Sequence, residues 1–75
     1  MTYSYFYRTK AGRFTIELAL GRWQVYFENE NLGNYATAEL ALDDLVGGHT
    51  WSASCGDTSK LGLPSQLSEW TRRST

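Results

Sequence analysis

Apolar and polar residues alternate along the first 35 residues of the chain, and this pattern predicts β-strands. In the clearest segment, four apolar residues stand at every second position: Phe14, Ile16, Leu18 and Leu20. Such alternation is typical of a strand with one buried face and one face toward solvent. A short fourth strand is predicted for residues 32–35.

Two residue pairs that contain glycine are predicted to form the hairpin loops of this sheet. Gly21-Arg22 has glycine at the first central position, as a type II′ turn requires, and Ala11-Gly12 is the second loop. The predicted pairs are Leu20 with Trp23, Leu18 with Val25, Ile16 with Phe27, Tyr7 with Ile16, Tyr5 with Leu18 and Tyr3 with Leu20. Each core-side residue then meets an apolar or aromatic partner, which favours this register.

One helix is predicted for residues 37–46. Thr37 suits the N-cap position, and Gly47-Gly48 suits the end of a helix. The residues that would cover the sheet have helical spacing: Ala38, Ala41, Leu42 and Leu45. Residues 49–75 are predicted to wrap the core, with a short helix over residues 65–70 that begins after Pro64.

The predicted fold is a single small α+β domain over residues 1–75. It consists of a three- to four-stranded antiparallel meander (residues 1–35) packed against one α-helix (residues 37–46), followed by the wrapping tail. A composition of 41% hydrophobic and 15% aromatic residues supports a packed core. Because no segment has the roughly 18 apolar residues of a membrane span, and no signal-peptide pattern is present, we expect no membrane association. A single cysteine favours the reducing cytoplasm.

The sequence contains few residues that could form a catalytic site. His49 is the only histidine and Cys55 the only thiol, and a nucleophile pair also needs a third group that orients the base. With Asp57 they would make three metal ligands, but a fourth ligand and a Cys-x-x-Cys pair are missing. We therefore expect no enzymatic activity, no metal and no cofactor.

The charges are segregated along the chain although the net charge is only −1. Residues 23–59 include six acidic residues and no Lys or Arg. Asp43 and Asp44 lie near the C-terminal end of the predicted helix, where the helix dipole favours cations, and Asp43 is four residues from Glu39. Unfavourable local charges mark candidate functional surfaces. Their alternative role is to cap backbone amides or to pair with Arg72 or Arg73.

The leading functional hypothesis is accordingly a non-enzymatic protein-interaction module. Its acidic surface would engage a protein partner with a basic surface, as in a bacterial or phage-type inhibitor or regulator of a nucleic-acid-handling complex. The residues of this predicted surface are Glu28, Glu30, Glu39, Asp43 and Asp44. A homo-oligomer, formed when an edge strand at residues 3–8 pairs with a second copy, is a further possibility.

The sheet face opposite the helix is the alternative binding surface. Its basic, polar and aromatic residues suit contacts with nucleic-acid phosphates and base edges: Arg8, Lys10, Arg13, Thr15, Gln24 and Tyr26. Glu17 and Glu28 are predicted on the same face. An ordinary solvated sheet face would have a similar composition.

One stretch of the chain resembles a known family. It runs from Gly21-Arg22-Trp23 through Leu32-Gly33-Asn34-Tyr35 and Thr37-Ala38-Glu39-Leu40-Ala41 to Asp44. This stretch, about a third of the chain, is similar to the AP2-type DNA-binding domain, in which a three-stranded sheet packs on one helix. The resemblance implies binding of double-stranded DNA through the sheet, a role that Arg8, Lys10 and Arg13 would take by position. The chain also resembles small bacterial proteins without an assigned activity.

Overall fold

The computed structural model describes residues 3–48 and 60–74, which form an antiparallel sheet, one α-helix and a short 3-10 helix. In chain order the elements are β1 (Tyr3–Arg8), β2 (Arg13–Ala19), β3 (Arg22–Phe27), β4 (Glu30–Tyr35), α1 (Ala38–Gly47), the 3-10 helix (Leu67–Glu69) and β5 (Thr71–Ser74). The five strands are ordered β4-β3-β2-β1-β5. The predicted α+β class is confirmed, with five strands instead of three or four.

The additional strand comes from the C-terminal residues. β5 pairs antiparallel with β1, so that Phe6 lies opposite Thr71 and Ser4 opposite Arg73. Its Thr-Arg-Arg-Ser sequence lacks the apolar alternation by which the other strands are recognised. Because β1 is paired on both sides, the prediction that residues 3–8 form an edge strand is wrong. Among the described strands, the edges of the sheet are β4 and β5.

The predicted β2–β3 register is wrong by two residues. Leu18 pairs with Trp23 and Ile16 with Val25, and the loop is Leu20-Gly21 instead of Gly21-Arg22. Both loop residues have positive φ, 55° and 77°, as the type I′ turn favoured in two-residue hairpins requires. A slip of two residues keeps each side chain on its predicted face. Leu20 is the exception, because it leaves the strand and is 100% exposed.

The β1–β2 hairpin is displaced in the same way. Thr9 and Gly12 exchange backbone hydrogen bonds of 2.8 and 3.2 Å, which leaves Lys10-Ala11 as the loop. The hydroxyl oxygen of Thr9 also accepts from the Ala11 amide at 3.1 Å. The pairs that result are Tyr5 with Ile16 and Tyr7 with Phe14, instead of those predicted.

Gly12 flanks the β1–β2 loop and is required there by close packing. A Cβ atom at this position would lie 2.8 Å from Oε2 of Glu28 and 2.9 Å from the ring of Phe27. The backbone φ of +150° is also one that other residues rarely adopt. The glycine was predicted from turn chemistry, whereas the structure requires it for contact between the two hairpins.

The helix has the N-cap residue and the terminating glycine that the sequence predicts. The Thr37 hydroxyl accepts a hydrogen bond from the Leu40 amide, and Gly48 ends the helix in a left-handed conformation with φ 76°. The predicted covering stripe is buried: Ala38, Ala41, Leu42 and Leu45. It packs on β2, β3 and β4.

Part of the tail completes the core on the same side of the sheet as the helix. Leu63 and Trp70 are buried, and the Trp70 indole donates a hydrogen bond to the Pro64 carbonyl at 3.0 Å. The Tyr7 and Trp70 rings lie 5.7 Å apart. The predicted helix over residues 65–70 is only a single 3-10 turn, and its N-cap residue, Gln66, makes no side-chain capping bond. The opposite face of the sheet is left open by the described elements.

Candidate nucleic-acid interface

The strand register determines which side chains lie on the uncovered side of the sheet. We call this surface the open face, and it is formed by Ser4, Phe6, Arg8, Arg13, Thr15, Glu17, Arg22, Gln24, Tyr26, Asn31, Asn34, Thr71 and Arg73. All are exposed or half-buried except Ser4, whereas the alternate positions of β2 and β3 supply the core residues Phe14, Ile16, Val25 and Phe27. The open face includes five of the six residues predicted for the alternative binding surface. The sixth, Lys10, lies in the neighbouring hairpin loop.

Two aromatic rings lie in the middle of the open face. Phe6 on β1 is paired with Thr15 on β2, and Thr15 is paired in turn with Tyr26 on β3. Since adjacent strands are about 4.8 Å apart, the two aromatic residues lie about 10 Å apart on the same row. The row is completed by Thr71 beyond Phe6 and by Asn31 beyond Tyr26.

Arginines lie on both sides of this aromatic row. Arg8 and Arg13 are directly opposite each other on β1 and β2, and a cross-strand pair of like charges is destabilising. The Glu28 carboxylate, which lines a cavity together with both arginines, is the one acidic group among the described residues of that cavity and leaves the three residues with a net charge of +1. On the other side of the row, Arg73 lies on β5 and Arg22 on β3. The Arg73 guanidinium lies 5.5 Å from the centre of the Phe6 ring, within cation–π distance.

Arg22 and Arg73 are binding candidates that sequence reasoning missed. Arg22 was assigned to the hairpin loop, and a correct choice of a type I′ turn would have placed it on the open face. No sequence signal identified Arg73, because β5 has no apolar pattern.

Hydrogen bonds between side chains order the β3–β4 part of the open face. Arg22 Nε donates to Asn34 Oδ1 at 3.0 Å, and Asn31 Nδ2 donates to Gln24 Oε1 at the same distance. The Asn31 side chain also accepts from the Gly33 amide at 2.8 Å. These polar groups are therefore held in position beside Tyr26.

Glu28 lies at one end of the open face, next to Arg13. Its amide donates to the Arg13 carbonyl at 2.8 Å, and its Oε2 atom accepts from the Arg13 amide at 2.5 Å, so the carboxylate continues the hydrogen-bond ladder. Its φ of 54° is unusual for a non-glycine residue. Strained residues of this kind cluster at functional sites.

Two shallow cavities meet at Glu28 and Arg13. One, of about 250 Å³, is lined by Arg13, Thr15, Glu17, Tyr26, Glu28 and Asn29. The other, of about 460 Å³, is lined by Arg8, Thr9, Gly12, Arg13 and Glu28. With four arginines against Glu17 and Glu28, the open face and its Glu28 end have a net charge of +2.

The five residues of the predicted acidic surface lie in different parts of the fold. Glu28 is in the β3–β4 loop beside the open face, and Glu30 begins β4. Glu39 and Asp43 line a groove of about 440 Å³ between α1 and the tail, together with Leu40, Leu42, Ser65, Gln66 and Leu67. The structure thus brings Glu39 and Asp43 together without Glu28.

Asp44, the fifth acidic residue, is half-buried next to Tyr35. Burial raises the pKa of the Tyr35 hydroxyl above its ordinary value of 10.0, and the charge of the Asp44 carboxylate raises it further. The carboxylate also forms a hydrogen bond with this hydroxyl. Asp44 therefore has a structural partner despite its unfavourable place near the C-terminal end of α1.

Within residues 3–48 and 60–74, no three His, Cys, Asp or Glu side chains are grouped so that they could hold a metal ion. In the same ranges, no helix has the length and apolar character needed to cross a bilayer. His49, Cys55 and Asp57, the metal-ligand candidates of the sequence, lie outside the described residues.

Comparisons with protein-family models, curated proteins and solved structures gave no match to this chain. The AP2-type resemblance therefore remains a prediction from sequence. Residues 21–44, which carry it, include β3 and β4 and most of α1.

Proposed function

We propose that the open face binds nucleic acid and that its arginines contact the phosphates. The observation that carries this proposal is the Arg8–Arg13 pair, in which two arginines lie opposite each other on adjacent strands of an uncovered sheet face. A phosphate shared between them would relieve their repulsion, because guanidinium groups bind phosphate oxygens through paired hydrogen bonds. Lys10, exposed in the adjoining loop, adds a further cation at this end of the sheet.

The excess of basic over acidic residues on the sheet face also supports the proposal. Four of the seven basic residues lie on the open face, against Glu17 on that face and Glu28 at its end, whereas Glu39, Asp43 and Asp44 lie on the helix. The protein can therefore present a basic surface to an anionic polymer although its net charge is −1. Clustered cations, and not net charge, determine contacts with phosphates at short range.

The proposal is tested by fluorescence anisotropy with a labelled oligonucleotide at about 50 and about 200 mM salt. With three phosphates of a single strand neutralised, we expect binding to weaken about 20-fold over this range. The double variant Arg8→Gln/Arg13→Gln should lower the salt slope by about 1.4 for a single strand. Lys60→Gln, which removes an exposed cation outside the open face, is the matched control. Binding without salt dependence, or equal loss in both variants, would contradict the proposal.

A protein partner at the acidic groove is a second candidate function. It is favoured by Leu40, which is 53% exposed although it lies in a groove lined by Glu39 and Asp43. A basic segment with an apolar side chain would complement this groove, in keeping with the leading sequence hypothesis of an inhibitor or regulator.

The second candidate predicts that Glu39→Gln/Asp43→Asn abolishes partner binding and changes the melting temperature little. The variant removes the repulsion between the two carboxylates and the unfavourable interaction of Asp43 with the helix dipole, but it also removes the favourable charge of Glu39 in the first turn of the helix. Glu69→Gln, an exposed acid outside the groove, is the control. A purified partner that binds both variants equally would exclude this candidate.

A further inference from the structure

The width of the sheet limits which form of nucleic acid, duplex or single strand, the open face can bind. Five strands at about 4.8 Å spacing place the outer strands about 19 Å apart. The major groove of B-form DNA is about 12 Å wide and the minor groove about 6 Å. The five-stranded face therefore exceeds either groove, and β5, which extends the sheet beyond β1, contributes to this width. A single strand, by contrast, can lie flat on a wide sheet.

The aromatic row offers two stacking platforms for such a strand. Phe6 and Tyr26 are half-buried in the centre of the open face, and the residue between them, Thr15, is small. Nucleobases stack on aromatic rings whatever their sequence, and this requires bases that are not already paired within a duplex. The Tyr26 side chain also lines the cavity of about 250 Å³ next to Arg13, which gives a base an open approach.

The arginines are placed to hold the backbone of a strand whose bases occupy this row. Arg8 and Arg13 lie on one side of the row, with Arg73 and Arg22 on the other. The Arg73 guanidinium lies over the Phe6 ring, so a base that stacks on Phe6 displaces it outward and can then be held between the ring and the planar guanidinium.

From the sheet width and the aromatic row together, we infer that the open face binds single-stranded nucleic acid, with bases stacked on Phe6 and Tyr26. This inference rests on the proposed function. It differs from what the AP2-type resemblance implies, which is recognition of a duplex.

The test compares three labelled probes of about 12 nucleotides: oligo-dT, oligo-U and a mixed-sequence duplex. We expect at least one single strand to bind about 10-fold or more tightly than the duplex, and the comparison of dT with U identifies the sugar that is preferred. Phe6→Leu and Tyr26→Leu should each weaken single-strand binding about 5-fold. Tyr26→Phe, which keeps the ring, should bind more tightly than Tyr26→Leu.

A second readout uses the wild-type protein and does not depend on whether the variants fold. Ring-proton resonances of Phe6 and Tyr26 should move on addition of oligo-dT or oligo-U, whereas those of the buried Phe14 ring should not. If no probe binds, the proposed function and this inference both fail. If the duplex binds as tightly as the single strands, or if the Phe6 and Tyr26 rings do not respond, only the inference is overturned.

Discussion

The two faces of the sheet follow different rules. On the core face, Phe14, Ile16 and Val25 are fully buried beneath the helix, and apolar partners are paired across the strands. On the open face, Arg8 lies opposite Arg13, a pairing of like charges that electrostatics disfavours. The comparison shows that packing accounts for the core face, and we propose that a nucleic-acid ligand accounts for the arginine pair on the open face.

The largest expected effect is a loss of stability, and it compares the two faces within one β-strand, β2. Ile16→Ala should lower the free energy of unfolding by about 2–5 kcal/mol, because it leaves a cavity under the helix. In so small a domain this loss should abolish folding or nearly so. Thr15→Ala, on the open face one residue away, should cost less than about 1 kcal/mol. Urea unfolding measures the free energy of unfolding of both variants. Similar losses in the two variants would mean that the two faces do not differ as described.

A second prediction concerns Glu17 on the open face and Glu28 at its end. Glu17→Gln and Glu28→Gln together change the net charge of the open face and this end from +2 to +4, and oligonucleotide affinity at about 50 mM salt should rise about 10-fold. The Glu28 substitution should have little effect on the melting temperature, because an amide oxygen can still accept from the Arg13 amide. Glu69→Gln is the matched control. An unchanged or lower affinity in the double variant would argue against phosphate contacts at this face.

A third prediction concerns Leu20, which belongs to neither face. It is fully exposed and has φ 55°, so it contributes no packing and is strained. Leu20→Asn should raise the free energy of unfolding by about 0.5–1 kcal/mol, because asparagine tolerates the left-handed region better. Thermal unfolding of the wild type and the variant measures this difference in stability. A destabilised variant would indicate that Leu20 makes contacts absent from the described structure.

The smallest expected effect concerns pH and Tyr35. Its folded-state pKa is raised above 10.0, so the protonated hydroxyl favours the folded state. This stabilisation is fully present below pH 10 and is lost as the pH rises through the folded-state pKa. Urea unfolding across this range should show a steeper decline for the wild type than for Tyr35→Phe. Asp44→Asn should lower the pKa of Tyr35 toward 10, and identical pH profiles for all three proteins would contradict this assignment.

The core face was predictable because apolar periodicity survives an error in register. Both hairpin loops were predicted one residue too late, and yet Tyr5, Ile16 and Val25 were assigned to the correct face, since a slip of two residues preserves it. The same error placed Leu20 in the core. The turn type was the missing information, because Leu-Gly is not a pair that usually indicates a type I′ loop.

The candidate site was only partly predictable. Arg8 and Arg13 followed from strand alternation, but their direct pairing depended on the correct loop. Arg73 reaches the open face only because β5 pairs with β1, and an exposed Thr-Arg-Arg-Ser segment contains no hydrophobic pattern that would indicate a strand. Contacts between residues far apart in the chain, here β1 with β5, are those that local patterns do not reveal.

The most direct test of the central claim is a methyl-resonance titration of the protein with oligonucleotide. Thr15 and Thr71 carry methyl groups on the open face, Val25 and Leu45 carry them in the core, and Leu40 carries them at the helix groove. The account predicts that the Thr15 and Thr71 methyl resonances shift in proportion to bound oligonucleotide while those of the other three residues remain in place. Shifts confined to Leu40, or no shift at any of the five residues, would contradict it.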